Sequence, residues 1–371
     1  MQTTSPRARV RLPLVTSESR RAVHELVPAD VVQRSSEPLA DAEGRVVRYL
    51  RLSVTDRCDM ACTYCMPAGG EDEHGLREEL LTFEEITRLV RVLAAHGLRR
   101  VRLTGGEPLV RRDVVALVQK IRDAGIEDVW MTTNASRLAA LASPLREAGL
   151  VGVNVSIDSL DPDRFAKITR GGRLASVLAG IEAAREASLA LRTNTVVMRS
   201  ENLGELAALA RWAWSIDATP RFIELMPIGE GARLPSSERV GAGEMREALG
   251  SLELETSDAA ADTDRGPARY LRSKRDPQRR VGFITAVSDE FCASCNRVRL
   301  TSQGEVRPCL ASRRAVSLRE LLRDGAGDDA IVGALRWALA GKGAGHDFAI
   351  TPRDASSDVD HERVGMSLIG G

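Results

Sequence analysis

Short apolar runs alternate with amphipathic stretches along most of this chain, beginning near residue 46. A run of about five branched apolar residues predicts a buried strand, whereas apolar residues spaced three and four apart predict a helix with one buried face. Runs of the first kind predict strands at 46–54, 100–104, 128–132, 151–157, 191–197 and 221–226.

Helical patterns lie between these predicted strands. Thr82 and Glu85 form a capping box, after which Phe83, Ile86 and Val90 recur at helical spacing. Strands that alternate with helices predict a parallel sheet with right-handed crossovers. The further helical patterns occupy 113–124, 136–148, 173–187 and 203–214.

Polar residues stand near the carboxyl ends of the predicted strands, and they help to choose between two α/β folds. A doubly wound open sheet and a barrel both satisfy the alternation, but a ring of polar groups at these ends is typical of barrel enzymes. Six strand–helix units are fewer than the eight of a complete barrel, so we expect an incomplete (βα)6 TIM-type barrel. The polar residues are Thr104, Thr132, Asn154, Ser156, Asn194 and Glu224.

The sequence predicts three segments of different character. Residues 1–45 are expected to be a disordered extension, 46–226 the partial barrel, and 227–371 a C-terminal α+β cap over its open side. Within the cap, the acidic and then basic stretch 253–280 is interpreted as a mobile connection. The other predicted elements of the cap are strands at 281–287 and 296–301 and helices at 318–323 and 328–340.

Composition narrows the possible partners of the chain. The 371 residues include 52 Lys plus Arg and 52 Asp plus Glu, so no bulk charge favours a nucleic acid polymer or a membrane surface. No apolar run approaches the length of a membrane span, and residues 1–45 lack the hydrophobic region of a signal peptide. We therefore expect a cytoplasmic protein.

All six cysteines fall into two triplets, which argues against a disulfide framework in a chain of this size. A [4Fe–4S] cube usually takes four thiolates, so a set of three leaves one iron open to a substrate or cofactor atom. Zinc is the alternative, but its structural sites are four-coordinate and no histidine is close in sequence to either triplet. The triplets are Cys58, Cys62 and Cys65, and Cys292, Cys295 and Cys309.

The first triplet follows a predicted strand, and Gly105-Gly106-Glu107-Pro108 follows the next one. This combination resembles the radical S-adenosylmethionine enzymes. The resemblance implies that the open iron binds S-adenosylmethionine, whose reductive cleavage gives a 5′-deoxyadenosyl radical. Runs at 52–58, 102–109 and 291–300, with the terminal Gly370-Gly371, narrow it to the molybdenum cofactor biosynthesis protein A family.

That family consists of GTP 3′,8-cyclases, and the resemblance covers about residues 46–371. It implies a lyase-type enzyme with two [4Fe–4S] clusters, in which the radical abstracts H3′ of GTP. The product would be (8S)-3′,8-cyclo-7,8-dihydroguanosine 5′-triphosphate, a precursor of the molybdenum cofactor. The implied partners are GTP, an external electron donor, a downstream cyclic pyranopterin monophosphate synthase and a second copy of the chain.

The resemblance implies roles for the residues of this chain that stand at positions matching the family's motifs. Arg192 stands where the family often has lysine, so its phosphate contact is less closely matched. The expected S-adenosylmethionine contacts are Tyr64, Gly105, Gly106, Glu107, Ser156 and Met226. The expected GTP contacts are Arg51, Arg102, Thr132, Arg192, Arg297 and Arg299, and a catalytic role falls to Arg297, Arg299, Gly370 and Gly371.

Two other classes of protein remain open from the residues themselves. A radical enzyme that matures peptides also carries auxiliary clusters, although such enzymes usually have more than three cysteines in the C-terminal part. A non-catalytic iron–sulfur or zinc protein would leave the Gly105–Pro108 loop and the terminal diglycine without a use.

Overall fold

The computed structural model describes residues 10–16, 19–27, 37–68, 75–256, 266–312, 315–346 and 348. Its strands are β1 (Val10–Thr16), β2 (Ser19–Val27), β3 (Tyr49–Ser53), β4 (Arg100–Thr104), β5 (Asp128–Thr133), β6 (Gly152–Ser156), β7 (Ala190–Val197), β8 (Thr219–Glu224), β9 (Leu254–Thr256), β10 (Arg269–Ser273), β11 (Arg280–Ile284), β12 (Arg297–Leu300), β13 (Glu305–Arg307) and β14 (Ala315–Ser317).

The α-helices lie mostly between the parallel strands, each carrying the chain back to the start of the next strand. They are α1 (Phe83–Ala95), α2 (Val114–Asp123), α3 (Ala142–Glu147), α4 (Pro162–Thr169), α5 (Leu174–Glu186), α6 (Leu206–Ser215), α7 (Glu230–Arg233), α8 (Ala242–Ala248), α9 (Arg319–Arg323) and α10 (Asp328–Ala340). None of the helices in the described part of the chain is long and apolar enough to cross a bilayer.

Strands β3 to β8 are parallel and adjacent in sequence order, which confirms the predicted barrel-type core. Side chains alternate between the two faces of each strand. On β3 and β4 the apolar side chains Leu50, Leu52 and Leu103 belong to the main core, whereas Arg51 and Arg102 alternate with them. One face of the sheet therefore packs on the helices, and the other presents polar and charged groups.

The C-terminal region continues this sheet at both of its edges. Strand β12 pairs in parallel with β3, and β11 pairs in parallel with β8. The sheet then extends from β12 through β13 and β14, and from β11 through β10 and β9. The predicted cap thus shares hydrogen bonds with the barrel strands, and it supplies the strands that flank the six-unit core.

Two predicted flexible segments contain ordered structure. The stretch 253–280 was predicted as a mobile connection, but β9 and β10 pair with each other and β10 pairs with β11, so the described part of that prediction is wrong. The expected extension 1–45 includes β1 and β2, and β1 pairs with β14. Leu39 is buried at 1% exposure and packs into the main core, so ordered chain begins before residue 46.

The predicted helix at 136–148 forms in two pieces. Ala135 has a φ of 60°, a short 3-10 helix follows at Leu138–Ala140, and α3 begins at Ala142. Helix α4 was not predicted, although its sequence carries a standard start. Asp161 accepts a hydrogen bond from the N–H of Arg164 at the N-cap, with proline in the first turn.

Candidate active site

The first cysteine triplet lies in the loop that follows β3. Cys58, Cys62 and Cys65 are not in disulfides, and their side chains are half-buried. The carbonyl of Cys62 accepts hydrogen bonds from the N–H groups of Cys65 (2.9 Å) and Met66 (3.0 Å), which curls the loop around these side chains. Burial raises the pKa of the Cys58 thiol to about 11, and it also raises that of Cys62. Binding to iron would offset this cost, because metal coordination stabilises the thiolate.

The Gly105–Pro108 loop lies directly on the backbone that leads into this triplet. The N–H of Gly106 donates to the carbonyl of Thr55 (2.9 Å), and that of Glu107 donates to the carbonyl of Arg57 (2.8 Å). A Cβ on Gly105 would overlap Thr55, and one on Gly106 would overlap Arg57. Both glycines are therefore needed for the close packing of the two loops, in addition to any contact with S-adenosylmethionine.

Glu107 is buried, and its carboxylate is bound by the protein itself. It accepts hydrogen bonds from the N–H of Leu109 (3.0 Å), the hydroxyl of Thr133 (2.7 Å) and the N–H of Asn134 (2.6 Å). Burial raises the pKa of Glu107 to about 7 against the effect of these donors. This side chain joins the ends of β4 and β5, and its predicted contact with S-adenosylmethionine stays a prediction.

The remaining residues expected to contact S-adenosylmethionine end the strands on this side. Ser156 is the last residue of β6, and Met226 follows the end of β8; both are half-buried. The hydroxyl of Tyr64 donates to the carboxylate of Asp158 (2.8 Å), which lies two residues beyond β6. The cysteine loop, the Gly105–Pro108 loop and these strand ends therefore share the carboxyl edge of the barrel strands.

Glu224, which was predicted as one of the polar strand-end residues, is engaged in holding the C-terminal region. Its carboxylate accepts a hydrogen bond from the N–H of Val287 (2.7 Å) and another from the N–H of Ser288 (3.1 Å). The side chain therefore ties the end of β8 to the segment after β11.

The second cysteine set lies at the opposite end of the strands. A short 3-10 helix, Cys292–Ser294, and Cys295 precede β12, whereas the first triplet follows β3. Since β12 and β3 are parallel, the two sets lie beyond opposite ends of this strand pair. Strand β13 is antiparallel to β12, so Cys309, which follows β13, returns to the same end as Cys295.

Arg297 and Lys342 make the neighbourhood of Cys295 positive. The Nε and Nη2 of Arg297 donate to the Sγ of Cys295, each at 3.4 Å. Burial raises the pKa of Cys295, but the charges of Arg297 and Lys342, together with hydrogen bonds from Arg297, bring the pKa down to about 7. Hydrogen bonds to ligand sulfur are typical of iron–sulfur sites, so these residues fit a cluster.

A row of arginines crosses the sheet between the two cysteine sets. Arg51 lies opposite Arg299 on β12 and opposite Arg102 on β4. Arg102 stacks on the ring of Tyr49, with its guanidinium carbon 5.2 Å from the ring centroid. The Nε and Nη2 atoms of Arg102 are buried without a hydrogen-bond partner. Such unsatisfied cationic donors are costly unless an anion binds to them.

Comparison with known proteins identifies the family to which this chain belongs. A model of the radical SAM superfamily matches residues 52–213, and one described as Molybdenum Cofactor Synthesis C matches residues 218–348. GTP 3′,8-cyclase of Rhodopseudomonas palustris strain TIE-1 is 42% identical over 351 residues, which cover 93% of this chain and 98% of that protein. The chain belongs to the GTP 3′,8-cyclase family. It is therefore a radical SAM enzyme, which uses S-adenosylmethionine and a [4Fe–4S] cluster.

Other members of the GTP 3′,8-cyclase family match at similar levels. The protein of Heliobacterium modesticaldum is 44% identical over 306 residues, 82% of this chain and 93% of that one. GTP 3′,8-cyclase 1 of Pseudomonas aeruginosa is 43% identical over 335 residues, 89% of this chain and 98% of that one. Among solved structures, Streptococcus suis SuiB bound to S-adenosylmethionine superposes with a TM-score of 0.55 at 15% identity, covering 76% of this chain and 63% of that one. That likeness shows the fold alone.

Arg221 belongs to the arginine row of this GTP 3′,8-cyclase family member, although it was not among the site residues expected from the sequence. It is 1% exposed, and its guanidinium donates to the amide oxygens of Asn194 (2.6 Å) and Asn154 (2.5 Å). Burial lowers the pKa of Arg221 to about 9, so it stays charged at neutral pH. The sequence signal that could have identified Arg221 is its position inside a mostly apolar strand, β8. In the parallel register of β7 and β8, Arg221 lies opposite Asn194.

Arg192 and Thr132 occupy the same polar face as Arg221. The guanidinium of Arg192 lies 3.9 Å from the ring centroid of Trp130, which holds it by a cation–π contact. The hydroxyl of Thr132 is buried without a hydrogen-bond partner. Strand register joins Thr132 to Asn154 and Asn154 to Arg192, so the predicted GTP contacts form one continuous surface. The predicted residues Gly370 and Gly371 lie outside the described residues.

Histidine is closer to the second cysteine set than sequence distance implied. Donor atoms of Glu290, Cys292 and His346 lie within 4.8 Å of one another, a grouping that could hold a single metal ion. The Nε2 of His346 is 2.6 Å from the carbonyl of Ala286, and its Nδ1 accepts a hydrogen bond from the N–H of Phe348 (3.3 Å). Both ring nitrogens are thus occupied by the backbone.

Proposed function

We propose that this chain converts GTP into (8S)-3′,8-cyclo-7,8-dihydroguanosine 5′-triphosphate, in the synthesis of the molybdenum cofactor. The observation that carries the proposal is the placement of two three-cysteine sets at opposite ends of the strands with buried arginines between them. Family membership at 42% identity over 93% of the chain supports the same reaction.

Each cysteine set would hold one [4Fe–4S] cluster through three thiolates. The cluster at Cys58, Cys62 and Cys65 would supply the electron that cleaves S-adenosylmethionine to the radical that abstracts H3′ of GTP. The chain supplies the loop of Gly105 and Gly106, which supports that triplet. Further S-adenosylmethionine contacts are proposed for Tyr64, Glu107, Ser156 and Met226.

The arginine row is proposed to bind the triphosphate. Arginine suits this role because its planar donors match phosphate oxygens and its charge persists when buried. Arg102 supports the assignment best, since two of its buried nitrogens have no hydrogen-bond partner. Most of the catalytic contribution of these residues would be orientation of GTP. The proposed GTP contacts are Arg51, Arg102, Thr132, Arg192, Arg221, Arg297 and Arg299.

The remaining elements of the proposal concern the C-terminal residues, the partners and the environment of the chain. Gly370 and Gly371 are proposed to enter the active site and act with Arg297 and Arg299 in catalysis. An external reductant would supply electrons, and the product would pass to cyclic pyranopterin monophosphate synthase. None of the six cysteines is in a disulfide, which fits a reducing, cytoplasmic environment, and a homodimer is the proposed assembly.

The decisive experiment is anaerobic reconstitution followed by two measurements. Iron and sulfide analysis should give about eight irons per chain, four for each cube. Incubation with GTP, S-adenosylmethionine and a reductant should yield 5′-deoxyadenosine in a GTP-dependent manner. One zinc per chain in place of the second four irons would favour a single-ion site at Glu290, Cys292 and His346. Formation of 5′-deoxyadenosine at the same rate with and without GTP would contradict the assignment of GTP as the substrate.

A further inference from the structure

Three charged side chains are buried together beside the second cysteine set. Asp41 and Lys342 have side-chain exposures of 0% and 3%, and the Lys342 Nζ lies 3.2 Å from an Asp41 carboxylate oxygen. The Nε of Arg45 donates to the same carboxylate at 2.7 Å. Neither Asp41 nor Lys342 is close to a cysteine in sequence, so no sequence motif indicates a role for these residues.

A tight turn fixes the carboxylate of this group. The N–H groups of Glu43 (3.1 Å) and Arg45 (3.0 Å) donate to the Oδ1 of Asp41, and Gly44 adopts a φ of 74° that favours glycine. The flanking residues Ala40 and Val46 form a β-bridge. Asp41 is therefore a rigid anion that presents its other oxygen to Arg45 and Lys342.

Both cations also bind the backbone of the cysteine segment. The Nη1 of Arg45 donates to the carbonyl of Cys292 (2.7 Å). The Nζ of Lys342 donates to the carbonyls of Cys295 (2.8 Å) and Arg297 (3.1 Å). The segment that contains two of the three thiols is thus held at three carbonyls by buried positive charge.

We propose that Asp41, Arg45 and Lys342 form a positioning triad for the second iron–sulfur cluster, and that its surplus positive charge raises the reduction potential of that cluster. This inference rests on the proposed second cluster. Two cations and one carboxylate leave the triad positive, whereas a [4Fe–4S] cube bound by three thiolates is anionic and gains a further negative charge on reduction. A nearby positive charge stabilises the reduced form more than the oxidised form, and net charge is a known determinant of cluster potential.

The parent protein for the test is the full chain with Cys58→Ala, Cys62→Ala and Cys65→Ala. It lacks the first cysteine set, so iron and potential report on the cluster at the second set. Iron per chain and the midpoint potential are then determined, the latter by a redox titration followed by electron paramagnetic resonance. Lys342→Met should lower the potential, because it removes a cation. Asp41→Asn should raise it, because it removes the anion and keeps an oxygen for Arg45.

Two further variants serve as controls for charge and for position. Lys342→Arg keeps the cation and should stay closer to the parent potential than Lys342→Met does. Lys120→Met, on α2, breaks an exposed ion pair with Glu84 (3.3 Å) on α1 and should leave both iron content and potential unchanged. After a challenge with a chelator, Lys342→Met should retain less iron than either control.

The outcomes separate this inference from the proposed function. If the parent protein without the first cysteine set binds no iron, the second cluster does not form, and the triad has no cluster to position. A parent variant with about four irons, in which Lys342→Met and Asp41→Asn leave the potential unchanged or shift it in the same direction, overturns the inference alone. If Lys342→Met fails to fold, an upward shift in Asp41→Asn supports the triad, and no shift there overturns it.

Discussion

Arg102 lies inside a strand where an apolar residue would cost much less to bury. Its exposure is 3%, and burial lowers its pKa, as do the nearby charges of Arg100 and Arg297, while Tyr49 opposes the change. A cation in such a place is retained only if something compensates it, and the protein supplies a ring face and no hydrogen bond to Nε or Nη2. A bound polyanion would satisfy both atoms.

Replacing Arg102 tests this argument directly. Arg102→Gln should weaken GTP binding by about 10- to 100-fold, because a charge-assisted hydrogen bond contributes about 1.5–3 kcal/mol. Anaerobic calorimetry with the reconstituted protein measures the dissociation constant. Arg211→Gln, on α6 and bonded to Ser251 at the surface, is the matched control and should bind GTP normally. Unchanged affinity in Arg102→Gln would remove this residue from the phosphate site.

Asp158 gives a prediction about pH at the residue scale. Burial raises its pKa from 3.8 to about 6, while hydrogen bonds from Tyr64 and Val196 oppose the shift. A raised pKa means that the folded state holds the proton of Asp158 more tightly than the unfolded state does. The resulting contribution to the free energy of unfolding is complete below about pH 4 and is lost as the pH rises through 6.

The variant Asp158→Asn keeps the shape of the side chain and cannot ionise. Its free energy of unfolding, relative to the parent, should therefore increase between pH 4 and pH 7, by about 3 kcal/mol. Urea titrations of the metal-free protein across this range measure the difference. A difference that is constant with pH would show that Asp158 does not titrate in this range.

At the scale of elements, two loops act as one unit. The loop after β4 lies on the backbone that leads from β3 to the first cysteines, through hydrogen bonds at Gly106 and Glu107. Glu107 then joins this unit to the end of β5 through Thr133 and Asn134. The Nδ2 of Asn134 is 4.0 Å from the Sγ of Cys58, so the chain of contacts reaches a proposed iron ligand.

A single methyl group should separate the two loops. In Gly106→Ala the new Cβ would overlap the carbonyl of Arg57, so the loops must move apart and the first triplet should lose its arrangement. We expect about four irons per chain instead of about eight, together with a lower thermal midpoint. Gly243→Ala in α8 meets nothing within 4 Å and should be neutral or slightly stabilising. Full iron content in Gly106→Ala would contradict the coupling.

Local patterns predicted these elements better than they predicted the contacts between them. The apolar runs identified β3 to β8, and the cysteine spacing and the Gly105–Pro108 turn identified the candidate site, because each signal lies within a few residues. Arg221 and Lys342 were missed because their roles depend on strand register and on partners far along the chain. The β9–β10 pairing was missed because polar strands at a sheet edge carry little apolar periodicity.

At the scale of the whole molecule, the C-terminal region completes the sheet of the N-terminal region. It covers the edge of β3 with β12, over four residue pairs, and the edge of β8 with β11, over three. It also carries the second cysteine set. An open edge exposes unpaired backbone groups and invites association, so the two segments defined from the sequence are expected to depend on each other.

Separate production of the segments tests this dependence. A fragment of residues 37–226 leaves both edges of its six-stranded sheet unpaired and should aggregate or remain loosely packed, as judged by gel filtration and near-ultraviolet circular dichroism. Co-production with residues 227–371 should restore a soluble complex, because β11 and β12 then cover both edges. The full chain in the same buffer is the control. A monomeric 37–226 fragment that unfolds cooperatively in urea would show that the barrel is stable without its flanking strands, and that the C-terminal region contributes the second cysteine set alone.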